Sequence, residues 1–173
     1  MLHLDGEDIT PINALIVSIF RVGGSLLEAG ARLVADIGIT PAWWQVLGAL
    51  SLSPVPLTVP QIARHIGLAR QSVQRIVDLL ETRGLVRLEP NPHHRRARLV
   101  MLSEAGIEVY RQANVRQAPW AEQLEAGLTR DRVAEAVDVL ARLELLLADQ
   151  KIAVSAKAPG RRTGKSREPA ESA

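Results

Sequence analysis

Apolar residues recur at three- and four-residue spacing over residues 9–35: Ile9, Ile12, Leu15, Ile16, Ile19, Phe20, Leu26, Leu27, Leu33 and Val34. That spacing predicts a long helix with a broad apolar stripe, one that needs a partner. Gly23, Gly24 and Gly30 each weaken it by about 1 kcal/mol relative to Ala. They allow a close crossing or a bend, and an ordinary imperfect helix fits equally well. Thr40-Pro41 opens a second helix with a cap residue and a proline at the first helical position. This helix passes through Trp43, Leu47 and Leu50 to about Leu52, where Ser53-Pro54-Val55-Pro56 breaks the chain.

The elements then shorten. Leu57-Thr58-Val59 reads as a brief strand, and residues 60–66 as a short helix with Ile62, Ala63 and Ile66 inward, ended by Gly67. A second helix begins at Ala69 or Arg70 and runs to Arg83, with Val73, Ile76, Val77 and Leu80 as its buried stripe and Gly84 as its stop. Two helices joined by a tight glycine turn suggest a helix-turn-helix. Residues 85–89 and 98–102 read as antiparallel strands, joined by the polar, basic tip Pro90-Asn91-Pro92-His93-His94-Arg95-Arg96-Ala97, a wing. Ser103 caps a helix carrying Ile107, Tyr110, Ala113 and Val115, which Pro119 is expected to bend or interrupt near Ala118. Thr129 caps a last apolar-striped helix, and residues from about Ser155 onward read as a disordered basic tail.

The fold class is therefore mainly α, an α+β winged helix-turn-helix with a two-stranded β-wing. One domain is expected over residues 1–152, with helices at about 9–35 and 103–150 flanking the winged helix at about 55–102, and a tail over 153–173. The two flanking regions carry surplus apolar surface. Packed together and against a second copy, they would form a dimer.

Composition narrows the chemistry. The chain has 173 residues, 47% of them hydrophobic, and no cysteine, which removes disulfides, Cys-ligated zinc, iron–sulfur clusters and thiol switches. No apolar run approaches the roughly 18 residues of a bilayer span, so no transmembrane protein and no membrane partner are expected. The first twelve residues hold Asp5, Glu7 and Asp8 without a basic residue, unlike a secretory signal. These readings point to a cytoplasmic protein.

Charge is unevenly distributed. Residues 61–100 hold eight arginines against Asp78, Glu81 and Glu89, whereas residues 1–60 and 101–150 are net −3 and −4. A basic block between acidic flanks fits a surface aimed at a polyanion, and also fits a solvated charged face. No nucleotide-binding glycine loop, H-E-x-x-H or nucleophile elbow occurs. Four histidines and no cysteine leave little for catalysis, so no enzyme and no cofactor are expected.

Residues 57–106 resemble the MarR family of bacterial winged-helix transcription regulators. Four segments carry the resemblance: Leu57-Thr58-Val59-Pro60-Gln61-Ile62-Ala63, the stretch from Ser72-Val73-Gln74-Arg75 through Arg83-Gly84-Leu85-Val86, Asn91-Pro92-His93-His94-Arg95-Arg96-Ala97, and Leu102-Ser103-Glu104-Ala105-Gly106. With the flanking helices it covers roughly residues 9–150. It implies a homodimer, binding to double-stranded DNA and, commonly, repression relieved by a ligand. Two positions depart from the family. His94 stands where Asp is frequent, an imidazole in place of the carboxylate that helps hold the wing arginine in the family, so a different wing orientation is expected. Ala69 stands where Ser or Thr often caps the recognition helix, a change worth about 1 kcal/mol.

With its apolar stripe inward, the second helix presents Arg70, Gln71, Ser72, Gln74 and Arg75 outward. Arg pairs with guanine and Gln with adenine in the major groove. Gln71, Gln74 and Arg75 are expected to read bases, and Arg70 and Ser72 to divide between bases and phosphate. Arg96 is the candidate for minor-groove insertion, with Arg95 and Arg98 on phosphates. A two-fold dimer would place two such helices roughly 34 Å apart on a pseudo-palindrome. Adjacent His93 and His94 make a weak metal pair, and no metal is expected. His65 reads as a surface or phosphate-side residue.

For a ligand, Trp43-Trp44 is the informative pair. Adjacent helix residues diverge by about 100°, so one is expected in the core and the other lining a cavity. In the resembling family the junction between dimer helices and winged domain binds small, often aromatic or phenolic anions. Arg21, Trp43 and Trp44 are the candidates here, against a reading in which both Trp residues only pack and Arg21 sits in an ion pair. The competing function is a winged-helix module that binds a protein or ligand without reading DNA.

Overall fold

The computed structural model describes residues 10–92, 94 and 96–155, with side chains described to residue 149. Helix α1 spans Pro11–Val34, and Ile9, placed in it by periodicity, lies outside the described residues. Thr10 caps it by accepting the Asn13 N–H. A single 3-10 turn at Ala35–Ile37 leads to α2, Pro41–Leu52, which starts where the Thr-Pro signal puts it, with Thr40 Oγ1 accepting from Trp43 N at 3.2 Å.

Strand β1 is Leu57–Thr58, and Val59 already begins α3, Val59–His65. The Gln61 Oε1 takes both the Thr58 N–H at 2.8 Å and the Thr58 hydroxyl at 2.7 Å, tying the strand end to the helix start. Helix α4 is Arg70–Thr82. Ala69 offers no side-chain cap, yet α4 starts at the residue the spacing indicates, with Val73 N bonded to the Ala69 carbonyl at 3.1 Å. Gly84 takes φ +70° after α4, and the Leu85 N–H closes back onto the Leu80 carbonyl at 2.9 Å.

Strands β2, Val86–Glu89, and β3, Leu99–Leu102, form the wing hairpin. The wing is two-stranded as expected, and the brief strand β1 makes the sheet three-stranded. β1 adds antiparallel to the free edge of β3, giving the order β1-β3-β2 with Leu57 opposite Val100 and Leu88 opposite Val100 from the other side. Two residues of strand leave too short an alternating pattern to announce a pairing partner.

Helix α5 runs over Glu104–Ala126 as one helix. Of the bend or interruption expected near Ala118, the interruption is excluded, since the helix continues through Pro119. Pro119 removes one N–H, and the i to i−4 bonds on either side carry the helix across. The chain divides into two compact units at Glu122/Gln123. The first holds a core built from α2, α3, α4 and the sheet, with Val46, Leu47, Ile62, Val73, Val77 and Leu80 wholly buried and Trp43 beside them. Each such aliphatic side chain contributes about 1.5–3 kcal/mol of burial. Asp36, in the 3-10 turn, meets Arg116 of α5 through Nε and Nη2 at 2.6–3.0 Å, which holds its carboxyl below the ordinary carboxylate range. The second unit contains α6, Arg130–Ser155, whose Val137, Leu140, Leu145, Leu146 and Leu147 are exposed.

Helix α1 changes one expectation. Pro11–Ile37 contains an 18-residue window of mean hydropathy 1.5, enough by length and composition to cross a membrane. A count of apolar runs misses it, because Asn13, Ser18, Arg21, Gly23, Gly24 and Ser25 break the run while the strongly apolar residues between them keep the average high. Phe20 is 78% exposed, and Val17, Val22, Leu26 and Leu27 are exposed with it.

Candidate nucleic-acid interface

Burying Val73, Val77 and Leu80 fixes the rotation of α4 and therefore what it displays. Arg70, Gln71, Ser72, Gln74 and Arg75 are all exposed along one face. The wing folds back toward that face. Arg70 and Gln74 of α4, Arg96 and Arg98 of the wing, and Val59 and Pro60 of α3 line one cleft of about 150 Å³. Helix and wing thus share a cationic rim. Within it, the Gln74 Nε2 donates to Asp78 Oδ1 at 2.8 Å.

The eight arginines of the basic block have different employments. Arg83 lies 5.4 Å from the centroid of the Trp43 ring, a cation–π contact worth about 0.5–1 kcal/mol. Arg87 bonds Glu89 at 2.8 Å and the Leu102 carbonyl at 3.1 Å, stapling the hairpin. Arg98 donates to the Leu88 carbonyl, so one of its nitrogens braces the wing. Arg70, Arg75 and Arg96 stand exposed at the surface. Within the tip, His94 N–H bonds the Asn91 carbonyl at 3.3 Å and its own carbonyl accepts from Ala97. Arg95 and His93 lie outside the described residues, as does the basic tail from residue 156. No cluster of metal-ligating side chains occurs among the described residues. His65 is exposed at the end of α3.

The last family segment has a structural reason that spacing alone did not reveal. The Ser103 hydroxyl donates to the Gly84 carbonyl at 2.6 Å and accepts from the Gly106 N–H at 3.0 Å, while Ser103 N–H bonds the Leu85 carbonyl at 3.1 Å. The start of α5 is thereby locked onto the turn that ends α4.

A second site lies between α1, α2 and the first part of α5, a cavity of about 380 Å³. Trp44, Tyr110 and Trp120 supply aromatic walls, Leu26, Leu27, Leu33 and Pro41 apolar ones, and Gln45, Asn114 and Gln117 carboxamides. The Trp44 indole N–H bonds Asn114 Oδ1 at 3.4 Å. Gly48 leaves the space open, since a Cβ there would sit 3.3 Å from the Tyr110 ring. Of the three ligand candidates read from sequence, only Trp44 lines this cavity. Trp43 points into the core, as the divergence of neighbouring helix residues requires. Arg21 is exposed and absent from the lining. It precedes Gly30 by nine positions, which at about 100° per residue puts it on the opposite side of α1. The described lining carries no charged side chain.

Comparison with known proteins agrees with this architecture. A family model described as MarR family matches residues 37–97. An uncharacterized protein of Mycobacterium tuberculosis is 37% identical over 127 residues, 73% of this chain and 81% of that protein. The transcriptional activatory protein BadR of Rhodopseudomonas palustris is 32% identical over 100 residues, 57% of each chain. Among solved structures, the transcriptional repressor CouR bound to a 23-mer DNA duplex superposes with a TM-score of 0.66 at 27% identity, covering 83% of this chain and 99% of that one. CouR from Rhodococcus jostii bound to p-coumaroyl-CoA gives 0.66 at 26% identity, covering 72% and 87%. An exposed helix face and wing in this arrangement, matched in sequence and in fold, place the chain in the MarR family as a winged helix-turn-helix transcription regulator.

Proposed function

We propose that the protein is a homodimeric repressor that reads a pseudo-palindromic operator and releases it on binding a small effector. The observation that carries the DNA assignment is the shared cleft in which Arg70 and Gln74 of α4 meet Arg96 and Arg98 of the wing. A helix in the major groove reads bases through Gln71, Gln74 and Arg75, while Arg70 and Ser72 divide between bases and phosphate. Arg96 enters the minor groove, Arg98 meets phosphate, and the same role is assigned to Arg95.

The exposed apolar surface of α1, with Phe20 at its most exposed point, supports a second copy as its cover. The charges on that helix, Arg21 and the Glu28–Arg32 pair at 2.6 Å, favour a protein partner over a bilayer. The repressor assignment follows CouR, matched over more of this chain than BadR. The effector is assigned to the cavity beside Trp44. Its aromatic walls and carboxamides, without a cation in the described lining, favour a planar, uncharged molecule over an aromatic anion.

Selection of bound duplexes from a random pool, at near-physiological salt with competitor DNA, tests this. An inverted repeat is expected, lost on charge reversal at Arg75 or Arg96 while the dimer persists. An intact dimer that selects no motif would move the protein to a winged-helix interaction module.

A further inference from the structure

Asp78 lies one turn along α4 from Gln74 and is exposed at its surface. We propose that it is a positioning residue, which holds the Gln74 amide in the orientation that fits adenine and rejects guanine. The inference rests on the reading of α4 as the helix that enters the major groove.

The Gln74 Nε2 donates to Asp78 Oδ1 at 2.8 Å, both side chains being at the surface of the same helix face. A carboxylate only accepts hydrogen bonds, so the amide cannot be reversed without losing this one. Nε2 is held toward Asp78 and Oε1 away from it. Nε2 carries two hydrogens and the carboxylate takes one. With the hydrogen anti to Oε1 on the carboxylate, the syn hydrogen stays beside Oε1, an adjacent donor and acceptor for a ligand.

Adenine offers the matching pair in the major groove, the N7 acceptor beside the N6 amino donor. Guanine offers N7 and O6, two acceptors, and the fixed Oε1 would face O6 without a hydrogen between them. An unheld glutamine turns its amide and donates to guanine instead. Asp78 removes that option. Gln74 also shares its cleft with Arg70, Arg96 and Arg98, where positive charge draws the duplex in. The carboxylate itself repels phosphate, so Asp78 lowers general affinity while sharpening base choice. A residue that merely stabilised α4 would not have this opposite pair of effects.

The test uses the full chain with duplexes selected by the unaltered protein, followed by binding titrations on adenine and guanine versions of each half-site position. The unaltered protein is expected to prefer adenine at one position per half-site. Asp78→Ala is expected to lower that preference about threefold to tenfold, with overall affinity raised. Asp78→Glu, which keeps a carboxylate within reach, is expected to retain it. In a Gln74→Ala background, Asp78→Ala is expected to change no base preference. An adenine preference that survives Asp78→Ala, or falls equally without Gln74, overturns the inference while leaving α4 as the reading helix. Selection of no motif by the unaltered protein overturns the reading of α4 and this inference with it.

Discussion

Replacing Gly106 with Ala would put a Cβ 2.0 Å from the Leu85 carbonyl oxygen and 3.0 Å from its carbon. Both neighbours are backbone atoms, so no side-chain rotation relieves the clash. The α5 start must move off the turn after α4, which strains the bonds of Ser103 to the Gly84 and Leu85 carbonyls. Two such bonds contribute about 0.5–1.5 kcal/mol each, and overpacking adds about 1–3 kcal/mol. The better helix propensity of Ala returns at most about 1 kcal/mol. The net expectation is a loss of about 1–6 kcal/mol, a large share of the roughly 5–15 kcal/mol that holds a typical domain. Urea unfolding followed by circular dichroism measures it, with the midpoint falling at unchanged slope. A loss below about 0.5 kcal/mol, within the range of ordinary surface substitutions, would refute the claim that the Gly106–Leu85 approach locks α5 onto the end of α4.

Further expectations follow from the site and its supports. Arg96→Ala should weaken DNA binding and reduce the dependence of log affinity on log salt by about 1, read from titrations at several salt concentrations. The Arg116 hydrogen bonds hold the Asp36 carboxyl low, so their stabilisation is present above the ordinary carboxylate range and is lost as pH falls through the lowered folded value. Asp36→Asn should therefore flatten the acid limb of urea stability between about pH 5 and pH 3, part of which remains because Glu108, held at about 2 by Arg111 and Gln112, stays ionised in the folded chain while the unfolded chain takes up its proton. In the cavity, benzamide should quench tryptophan fluorescence at lower concentration than benzoate of the same shape, because the described lining offers amides and no cation. Tighter binding of benzoate would restore the anionic effector.

Much of this fold is legible in the sequence because its punctuation is strong. Thr40-Pro41, Gly67, Gly84 and Ser103 each mark an element end at which the structure places one. The exposed face of α4 follows from the same periodicity that buries Val73, Val77 and Leu80. What was not legible depends on contacts between segments distant in sequence. The pairing of Leu57–Thr58 with β3, the union of Arg96 with Gln74 in one cleft, and the Asp36–Arg116 bridge across 80 residues have no local pattern. The absence of Arg21 from the cavity lining was not legible either, because proximity to an apolar stripe says nothing about which side of the helix faces a cavity. Pro119 does not end α5, because a missing N–H inside a long helix costs one bond and leaves the rest in place.

The central claim is that α4 enters the major groove and the wing the adjacent minor groove, twice per dimer. Chemical footprinting of the selected duplex tests it directly. The account predicts two blocks of protected major-groove purine edges, centred roughly 34 Å apart, each flanked by minor-groove protection that disappears in Arg96→Ala. A single protected block, or minor-groove protection indifferent to Arg96, would contradict it.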